Sequence, residues 1–279
     1  MRLGVLLNTR SSVSALARQA ELVETLGFDL VWLEGAAAPM VAAASLAAGT
    51  SAIQVGATAR VGDTHPAYLA EEAAVADLTL GGRLVLAVTP TRGREPWLAE
   101  VLDILLAAQA ARPFRHPGPQ WPMPGHASEH DEFRVRVTPA PAQLELPLWV
   151  CGVAHSDPAR QRGLSVLGAE EDTAAELTYA WGVTATDLGP AEARLRRPAL
   201  RAVEVDRDGT LHVEDLVSAL VSEREAWGMD VAVLRLPPIE GRAQRRALQT
   251  LASAVRPRLQ LDRLPVGLER LWGRDRPPA

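Results

Sequence analysis

Over the first ninety residues, short continuous apolar runs alternate with segments in which apolar positions recur every three or four residues. Continuous runs of this length predict strands that are covered on both faces. They occupy residues 3–7, 30–33, 53–59 and 84–88. The segments between them predict three helices, of which the second and third begin at Pro39 and Pro66. Such an alternation of strands and helices predicts a parallel sheet.

Residues that favour helix ends support this pattern. Ser11 or Ser12 is placed to cap the first helix, and Gly27 followed by Phe28 is typical of a Schellman ending. Far along the chain, Gly228 again precedes an apolar run, at residues 231–236, and a last helix is predicted over residues 242–259. The chain therefore ends with a strand and a helix, as it begins.

The middle of the chain is less regular. A fourth helix is predicted over residues 96–110, and eight of the 21 prolines then fall between Pro113 and Pro147. So many prolines exclude regular helices and predict a long excursion between strands four and five, with a small strand at residues 133–137. The remaining strands are predicted at residues 148–150, 164–167 and 200–205.

The number of strand–helix units then decides the fold class. Eight such units in one α/β domain are the number found in a (β/α)8 TIM barrel, and the main alternative is an open doubly wound sheet. Nothing in the composition marks a second domain. We therefore predict a single barrel over residues 1–262, followed by an Arg/Pro-rich tail at residues 263–279.

Composition and charge narrow the function classes. With 47% apolar and 23% charged residues, the chain has the composition of an ordinary globular protein, and its net charge of −5 argues against a nucleic-acid partner. The absence of lysine excludes a lysine Schiff base and a P-loop lysine. Cys151, the single cysteine, indicates a reducing compartment. With no signal peptide pattern and no long apolar span, we expect a soluble, cytoplasmic protein without a membrane partner.

In a TIM barrel, chemistry occurs where the strands end at their carboxyl termini. Polar, charged or small residues follow the predicted strands at these points: Asn8, Glu34, Thr58, Thr89, Cys151, Gly152 and Arg235. These residues are candidates for a site. A plainer interpretation of each is that strand ends are polar because they leave the core.

The turn after strand five is a more specific candidate. Gly152 allows a close approach of the backbone, and His155 and Ser156 precede a helix with Pro158 in its first turn. Backbone N–H groups at such a terminus bind phosphate, and the Ser156 hydroxyl would add a donor. Two observations weigh against an anion here: Ser156 is also a good N-cap residue, and Asp157 would repel it. The sequence leaves both interpretations of Ser156 open.

Other chemistry has less support. His126, His130, Asp131 and Glu132 have no recognised ligand spacing, so no metal site is predicted. At the end of an apolar strand, Cys151 is expected to be an inert buried thiol. The sequence also lacks the Gly-x-Ser-x-Gly, His-Glu-x-x-His and Gly-x-Gly-x-x-Gly motifs of hydrolases, zinc proteases and dinucleotide-binding folds.

Several segments together resemble one known family. They are Gly27 to Glu34 at strand two, His65-Pro66 with the helix up to Leu84, residues 139–150 before and in strand five, and residues 228–238 at the last strand. In this order they resemble the bacterial luciferase-like monooxygenases over most of the chain. The segment that begins at His65-Pro66 is the most specific of them.

This resemblance implies a TIM barrel that binds reduced FMN, or the deazaflavin coenzyme F-420, at the carboxyl ends of its strands. Members of the family oxidise a small substrate with O₂ or transfer a hydride, and homodimers are common among them. The resemblance places the flavin phosphate near Gly152 and Ser156 and the ring against residues 56–59. The predicted set is Glu34 as the catalytic residue, with Gly56, Thr58, Ala59, Thr89, Gly152, His155 and Ser156 as cofactor-binding residues.

Two departures from the family pattern suggest a second interpretation. Glu34 is followed by Gly35 and three alanines, where relatives often have histidine, and residues 89–93 lead almost directly into helix four. Part of the usual cofactor wall is therefore expected to be absent. The alternative is a catalytically degenerate luciferase-like barrel that serves as a binding or partner subunit.

Overall fold

Eight parallel strands form one sheet in a computed structural model that describes residues 1–110, 112–125, 133–169, 197–239 and 241–260. The strands are β1 (Arg2–Leu7), β2 (Leu30–Leu33), β3 (Gln54–Val61), β4 (Leu84–Pro90), β5 (Leu148–Cys151), β6 (Ser165–Leu167), β7 (Pro198–Ala202) and β8 (Val231–Arg235). Each strand pairs with its neighbours along the chain except at the junction of β6 and β7, and β1 also pairs with β8.

The ring of strands closes between β6 and β7. Gly168 donates its N–H to the carbonyl of Pro198 and accepts the N–H of Leu200, both at 2.9 Å. An open doubly wound sheet would have two unpaired edges, whereas this bridge joins them. The predicted (β/α)8 barrel is therefore confirmed.

Helices surround the barrel and follow the strands along the chain. They are α1 (Val13–Thr25), α2 (Pro39–Ser45), α3 (Pro66–Thr79), α4 (Leu98–Gln109), α5 (Ser156–Arg160), α6 (Val213–Trp227), α7 (Gly241–Thr250) and α8 (Arg256–Gln260). A π-helical turn at Leu251–Val255 joins α7 to α8, so the predicted last helix has an irregular middle. Among the described residues, no helix is long and apolar enough to cross a membrane.

The ends of α1 show how local chemistry sets these bounds. Ser12 caps its start, because the Ser12 Oγ accepts the N–H of Ala15 at 3.3 Å. At its end Gly27 adopts a φ of 82°, which lets Phe28 donate to the carbonyl of Val23. This is the Schellman arrangement that the sequence predicts. It turns the chain directly into β2.

Two predicted strands differ from the observed ones. β7 starts at Pro198 and ends at Ala202, earlier than the predicted 200–205, because Val205 instead forms a separate antiparallel bridge with Leu211. The predicted strand at residues 133–137 is wrong as an element, since Val135 makes only a single bridge, to Phe114.

The described part of the Pro-rich excursion, residues 113–125 and 133–147, lies outside the barrel wall, as predicted, because β4 pairs directly with β5. Its buried residues, among them Trp121 and Val137, join the core between strands and helices. Asp77 on α3 holds the excursion in place: its buried carboxylate accepts the backbone and side-chain N–H groups of Gln143 and the N–H of Leu84, at 2.8–3.1 Å.

Another carboxylate anchors the loop that leads into β3. Glu24 on α1 accepts the backbone N–H groups of Ser51, Ala52 and Ile53 at 3.0, 2.5 and 2.8 Å. Burial by itself would raise the pKa of Glu24, but these three hydrogen bonds and the Arg83 charge together lower it. The loop is therefore held by an acceptor that stays ionised to lower pH than an ordinary glutamate.

Inside the barrel, two tryptophans fill most of the middle layer. Trp32 of β2 and Trp149 of β5 stack with ring centroids 5.3 Å apart, and both are buried. The Trp32 Nε1–H donates to the Thr58 hydroxyl at 3.1 Å. Gly56 pairs in register with Trp32, and its missing side chain leaves the space that the indole occupies. The barrel is thus solid beneath its mouth.

Candidate functional site

Because all eight strands run in the same direction, their carboxyl ends meet around one mouth. Five of the polar residues that the sequence singles out lie at or near the carboxyl ends of the described strands: Glu34, Thr58, Thr89, Cys151 and Arg235. Thr58 lies within β3, because this strand extends to Val61, beyond its predicted end at residue 59. These five residues divide the mouth into two regions. One is the rim formed by β3, β4 and β5, and the other is a cleft beside β1, β2 and β8.

Glu34 and Arg235 form an ion pair over the barrel mouth. The Arg235 Nη2 donates to the Glu34 Oε2 at 2.7 Å; the Arg235 side chain is 42% exposed and the Glu34 side chain 36%. An ion pair this exposed contributes little to stability, about 0–1 kcal/mol. Glu34 points into the mouth rather than onto the outer helices, as its place in the strand alternation predicts. Its catalytic role stays a prediction.

The cleft has a volume of about 750 Å³ and contains this ion pair in its lining. Residues 6–11, which end β1 and lead into α1, form one side of it, and residues 235–239 at the end of β8 form the other. The Thr9 hydroxyl donates to the carbonyl of Glu34 at 2.9 Å, and the Asn8 Oδ1 accepts the N–H of Arg10 at 3.0 Å. These bonds fix the first loop, so this side of the cleft is already formed.

On the opposite rim, Thr58 and Cys151 face each other, with 3.9 Å between Oγ1 and Sγ. The pKa of the Cys151 thiol is raised to about 12, mainly by burial; the hydrogen bond with the Thr58 hydroxyl lowers it and the nearby Glu34 charge raises it, each by less than burial does. Because the thiolate is the nucleophilic form, this thiol is inert near neutral pH. That agrees with the expectation from the sequence.

The turn after β5 begins with Gly152, whose φ of 83° favours glycine. A Cβ at this position would meet no atom nearer than the His155 Cδ2, at 3.9 Å. The space that a side chain would occupy at Gly152 is therefore open. Burial lowers the pKa of His155, which the Glu95 carboxylate only partly opposes, so the imidazole is mostly neutral at pH 7.

Ser156 does not cap the following helix, so that interpretation is wrong. A 3₁₀ turn at Val153–His155 places His155 at the cap position, where its side chain makes no capping bond, and Ser156 lies within the helix, 5% exposed. The helix has five residues and carries Asp157 in its first turn. The predicted phosphate contact of Ser156 stays a prediction.

The structure separates the predicted cofactor residues from the cleft. Of the eight predicted site residues, only Glu34 lines it. The methyl group of Ala59 is buried in the outer core, and the inner face of Gly56 is covered by Trp32. Gln19 and Gln244 do line the cleft. Local sequence does not identify them as site residues, because only the packing of their helices brings them to the cleft.

No metal centre is found in the described ranges, which contain no group of three or more His, Cys, Asp or Glu residues that could hold an ion. The residues considered from the sequence, His126, His130, Asp131 and Glu132, lie outside the described residues.

Solved structures with the same fold are numerous. The chain matches monooxygenase RslO1 from Streptomyces bottropensis (TM-score 0.67, 16% identity, 92% of this chain and 99% of that one). It matches the coenzyme F-420-dependent tetrahydromethanopterin reductase from Methanopyrus kandleri with a TM-score of 0.67, 14% identity and the same coverage. It also matches the oxygenating constituent of 3,6-diketocamphane monooxygenase from Pseudomonas putida (TM-score 0.67, 13% identity, 92% and 98%).

These identities show the fold. Among curated proteins, none matches the sequence. The sequence model of the luciferase-like monooxygenases, however, matches residues 1–158, which is more than half of the chain. Together with the closed barrel of eight parallel strands, this match confirms the resemblance seen in the sequence. The protein belongs to the luciferase-like monooxygenase family.

Proposed function

We propose that this protein is a flavin-dependent oxidoreductase, a monooxygenase of the luciferase-like type, that acts on a small organic substrate at the mouth of its barrel. Reduced FMN is the proposed cofactor, and the deazaflavin coenzyme F-420 is the alternative. One observation carries the proposal: the Glu34–Arg235 pair lies between a polar rim and a preformed cleft of about 750 Å³. Small-molecule sites have volumes of about 300–1,000 Å³.

The rim provides the contacts that a flavin requires. A Cβ at Gly152 would meet no atom nearer than 3.9 Å, which leaves room for a ligand beside the backbone, and Thr89 is half-exposed at the end of β4. Thr58 lies between them and the barrel interior. Among the structural matches, one is described as a complex with FMN and another as dependent on coenzyme F-420. Residues of the rim therefore suit a flavin.

We assign the cofactor contacts accordingly. Thr58, Thr89, Gly152 and His155 would hold the flavin with side chains and backbone, and Ser156 would contribute through its hydroxyl group, because its N–H already donates to the carbonyl of Val153. Gly56 and Ala59 would contribute backbone atoms only, because the indole of Trp32 covers one and the methyl group of the other points outward. A bound reduced flavin supplies the hydride or the oxygen-activating chemistry, and the barrel binds, orients and excludes water.

Glu34 is the proposed catalytic residue. Its carboxylate lines the cleft and is close enough to Cys151 on the opposite rim to influence the pKa of that thiol. A substrate in the cleft and a flavin on the rim would therefore both lie beside it. There the Glu34 carboxylate would accept a hydrogen bond from the substrate, while Arg235 holds the carboxylate in place through the 2.7 Å bond.

A fluorescence titration with FMN tests the proposal. We expect saturable quenching of flavin fluorescence by the wild-type protein. The variant Gly152→Val should bind FMN at least about ten-fold more weakly, because its side chain would occupy the open rim. Gly163→Val is the matched control: Gly163 also has a positive φ and open surroundings, but it lies in the turn between α5 and β6.

If neither FMN nor coenzyme F-420 binds at millimolar concentration, the proposal fails and the degenerate barrel, a binding or partner subunit, becomes the better interpretation. If both glycine variants bind FMN like the wild type, the flavin lies elsewhere. Substrate turnover by wild type, compared with Glu34→Gln, then tests the role of Glu34: we expect a loss of kcat with FMN affinity unchanged.

We further propose a cytoplasmic homodimer. Four apolar side chains on α2 and α3 are exposed, a pattern that suits a protein partner: Val41 at 68%, Tyr68 at 65%, Val75 at 50% and Leu78 at 47%. Light scattering during size-exclusion chromatography should give twice the 29.9 kDa chain mass. A monomer at every concentration would contradict this assembly.

A further inference from the structure

The interior of the barrel holds a pair of oxidisable side chains that the proposed reaction does not use. Trp32 of β2 and Trp149 of β5 are stacked, with ring planes 9° apart and centroids separated by 5.3 Å. Both belong to the apolar cluster inside the barrel, and they are 0% and 4% exposed. Indole is among the most easily oxidised side-chain groups. The stacked neighbour eases the loss of an electron further, because the π face of one ring attracts a positive charge on the other.

This stacked pair lies directly beneath the rim on which the flavin is placed. The Trp32 Nε1–H donates to the Thr58 Oγ1 at 3.1 Å, and Thr58 is one of the proposed flavin contacts. Trp149 lies two residues before Cys151 in β5, and the Cys151 Sγ is 3.9 Å from the same Thr58 Oγ1. On this side of the barrel, one layer of side chains therefore separates the two indoles from a ring bound beside Thr58.

The other tryptophans that the structure describes lie outside the barrel interior. Trp97 and Trp121 contact each other edge to face, with centroids 5.6 Å apart, where the Pro-rich excursion meets the start of α4. Trp227 is the last residue of α6 and is fully buried in the core between strands and helices. Because β8 begins shortly after it, at Val231, Trp227 lies near the amino-terminal end of the barrel, away from the mouth.

We propose that the Trp32–Trp149 pair donates an electron to a light-excited flavin on the rim and so protects the bound cofactor from photochemical damage. This inference rests on the proposed function, which places an oxidised flavin ring beside Thr58. An indole of the pair gives one electron to the excited ring, which leaves an indole radical cation and a flavin radical anion. The same electron then returns, so both groups are restored and the absorbed energy is released as heat.

The surroundings of the pair favour this return over a side reaction. The hydrogen-bond acceptor of the Trp32 Nε1–H is a neutral hydroxyl, which is a weak base. The oxidised indole therefore keeps its proton during the short life of the charge-separated state. Both rings are also buried, which limits the access of O₂ and water to a radical. The cycle consumes no oxidant, reductant or proton.

The excited-state lifetime of FMN bound to an excess of protein tests this inference. We expect the fluorescence of FMN bound to the wild type to decay several-fold faster than that of free FMN. Trp32→Phe and Trp149→Phe should each lengthen the lifetime, and the double variant should have the longest, because phenylalanine keeps an aromatic ring in place but is much harder to oxidise. Trp227→Phe is the matched control: it changes an equally buried but remote tryptophan, so its lifetime should equal that of the wild type.

Two further measurements address the electron and the protection. Transient absorption of the wild type needs no variant to fold: an indole radical cation should appear as the excited flavin decays, and disappear as the electron returns. Under continuous blue light, FMN bound to the double variant should lose its absorbance several-fold faster than FMN bound to the wild type.

Three results would overturn the inference: no indole radical in the wild type, wild-type lifetimes in both single variants and the double variant, or equal bleaching of wild type and double variant. Failure of the proposed function looks different, because unbound FMN keeps the fluorescence anisotropy of the free molecule at every protein concentration. FMN that binds but keeps a lifetime independent of Trp32 and Trp149 retains the proposed function and loses this inference.

Discussion

Replacing Gly56 by alanine should destabilise the barrel more than any ordinary glycine-to-alanine change in a strand. The new Cβ would lie 1.9 Å from the Trp32 Cε3 and 2.2 Å from its Cζ3. Carbon atoms in contact are about 3.5–4.0 Å apart, so the indole would have to move by roughly 1.5 Å. Trp149 is stacked on it at 5.3 Å, and Trp32 is fully buried, so the ring has no space to move into.

The magnitude follows from the contacts that such a shift would break. Overpacking a core costs about 1–3 kcal/mol. The bond from Trp32 Nε1–H to Thr58, 3.1 Å long, contributes about 0.5–1.5 kcal/mol, and the stacked pair contributes a similar amount. Because one displacement affects all three, we expect the free energy of unfolding to fall by about 2–5 kcal/mol, a large share of the 5–15 kcal/mol typical of a domain.

Urea unfolding followed by tryptophan fluorescence measures this loss. Gly4→Ala in β1 is the control, because its Cβ would come no closer than 3.1 Å to Leu30, and it should lose at least about 1 kcal/mol less. In a Trp32→Leu background the cost of Gly56→Ala should largely disappear. A loss below about 0.5 kcal/mol for Gly56→Ala, or additive effects in the double variant, would refute this account of the barrel core.

Three further predictions concern other buried or anchored groups. Asp77→Ala should lower the free energy of unfolding by about 2–4 kcal/mol, while exposed Glu71→Ala on the same helix should change it by less than about 0.5 kcal/mol, and equal losses would contradict the anchoring role of Asp77. The pKa of Glu24 is lowered in the folded protein, so its stabilising effect is present above its pKa in the unfolded protein and is lost as the pH falls through its pKa in the folded protein. The difference in free energy of unfolding between the wild type and Glu24→Gln should therefore be larger at pH 7 than at pH 3. An equal difference at the two pH values would contradict this prediction. Cys151, with its pKa raised to about 12, should react with a thiol reagent at pH 8 at least about 100-fold more slowly in the folded than in the urea-unfolded protein, and equal rates would show an accessible thiolate.

Much of the fold follows from local patterns. The sequence predicts features that depend on residues within one turn or one strand. These are the apolar strands, the prolines that begin α2 and α3, and the Ser12 cap and Gly27 ending of α1. The number of strand–helix units then predicts the barrel. Boundaries were less predictable where a residue had a partner outside its own strand, as Val205 has in Leu211.

The site depends on contacts that no local pattern encodes. Glu34 and Arg235 are 201 positions apart and meet only because β2 and β8 lie on either side of β1. Gly56 fits beneath Trp32 because of the register between β2 and β3. The alternation of residues along the strands places Glu34 at the mouth, but the shape of the cleft follows from the packing of α1 on the barrel.

Ser156 shows where sequence reasoning failed and why. Serine before aspartate and proline is a good signal for a helix start, but the 3₁₀ turn at Val153–His155 begins one turn earlier and moves the cap position to His155. The signal identified the correct turn, but of the two interpretations that the sequence left open for Ser156, the cap is wrong because His155 occupies that position.

A crystal structure of the protein grown with millimolar FMN tests the central claim most directly. The account predicts electron density for the flavin ring on the rim of the barrel mouth, beside Thr58 and Thr89, with its phosphate at the Gly152 turn and the cleft next to Glu34 left open to a substrate. Density for FMN on the outer helices, or a mouth without flavin at that concentration, would contradict it.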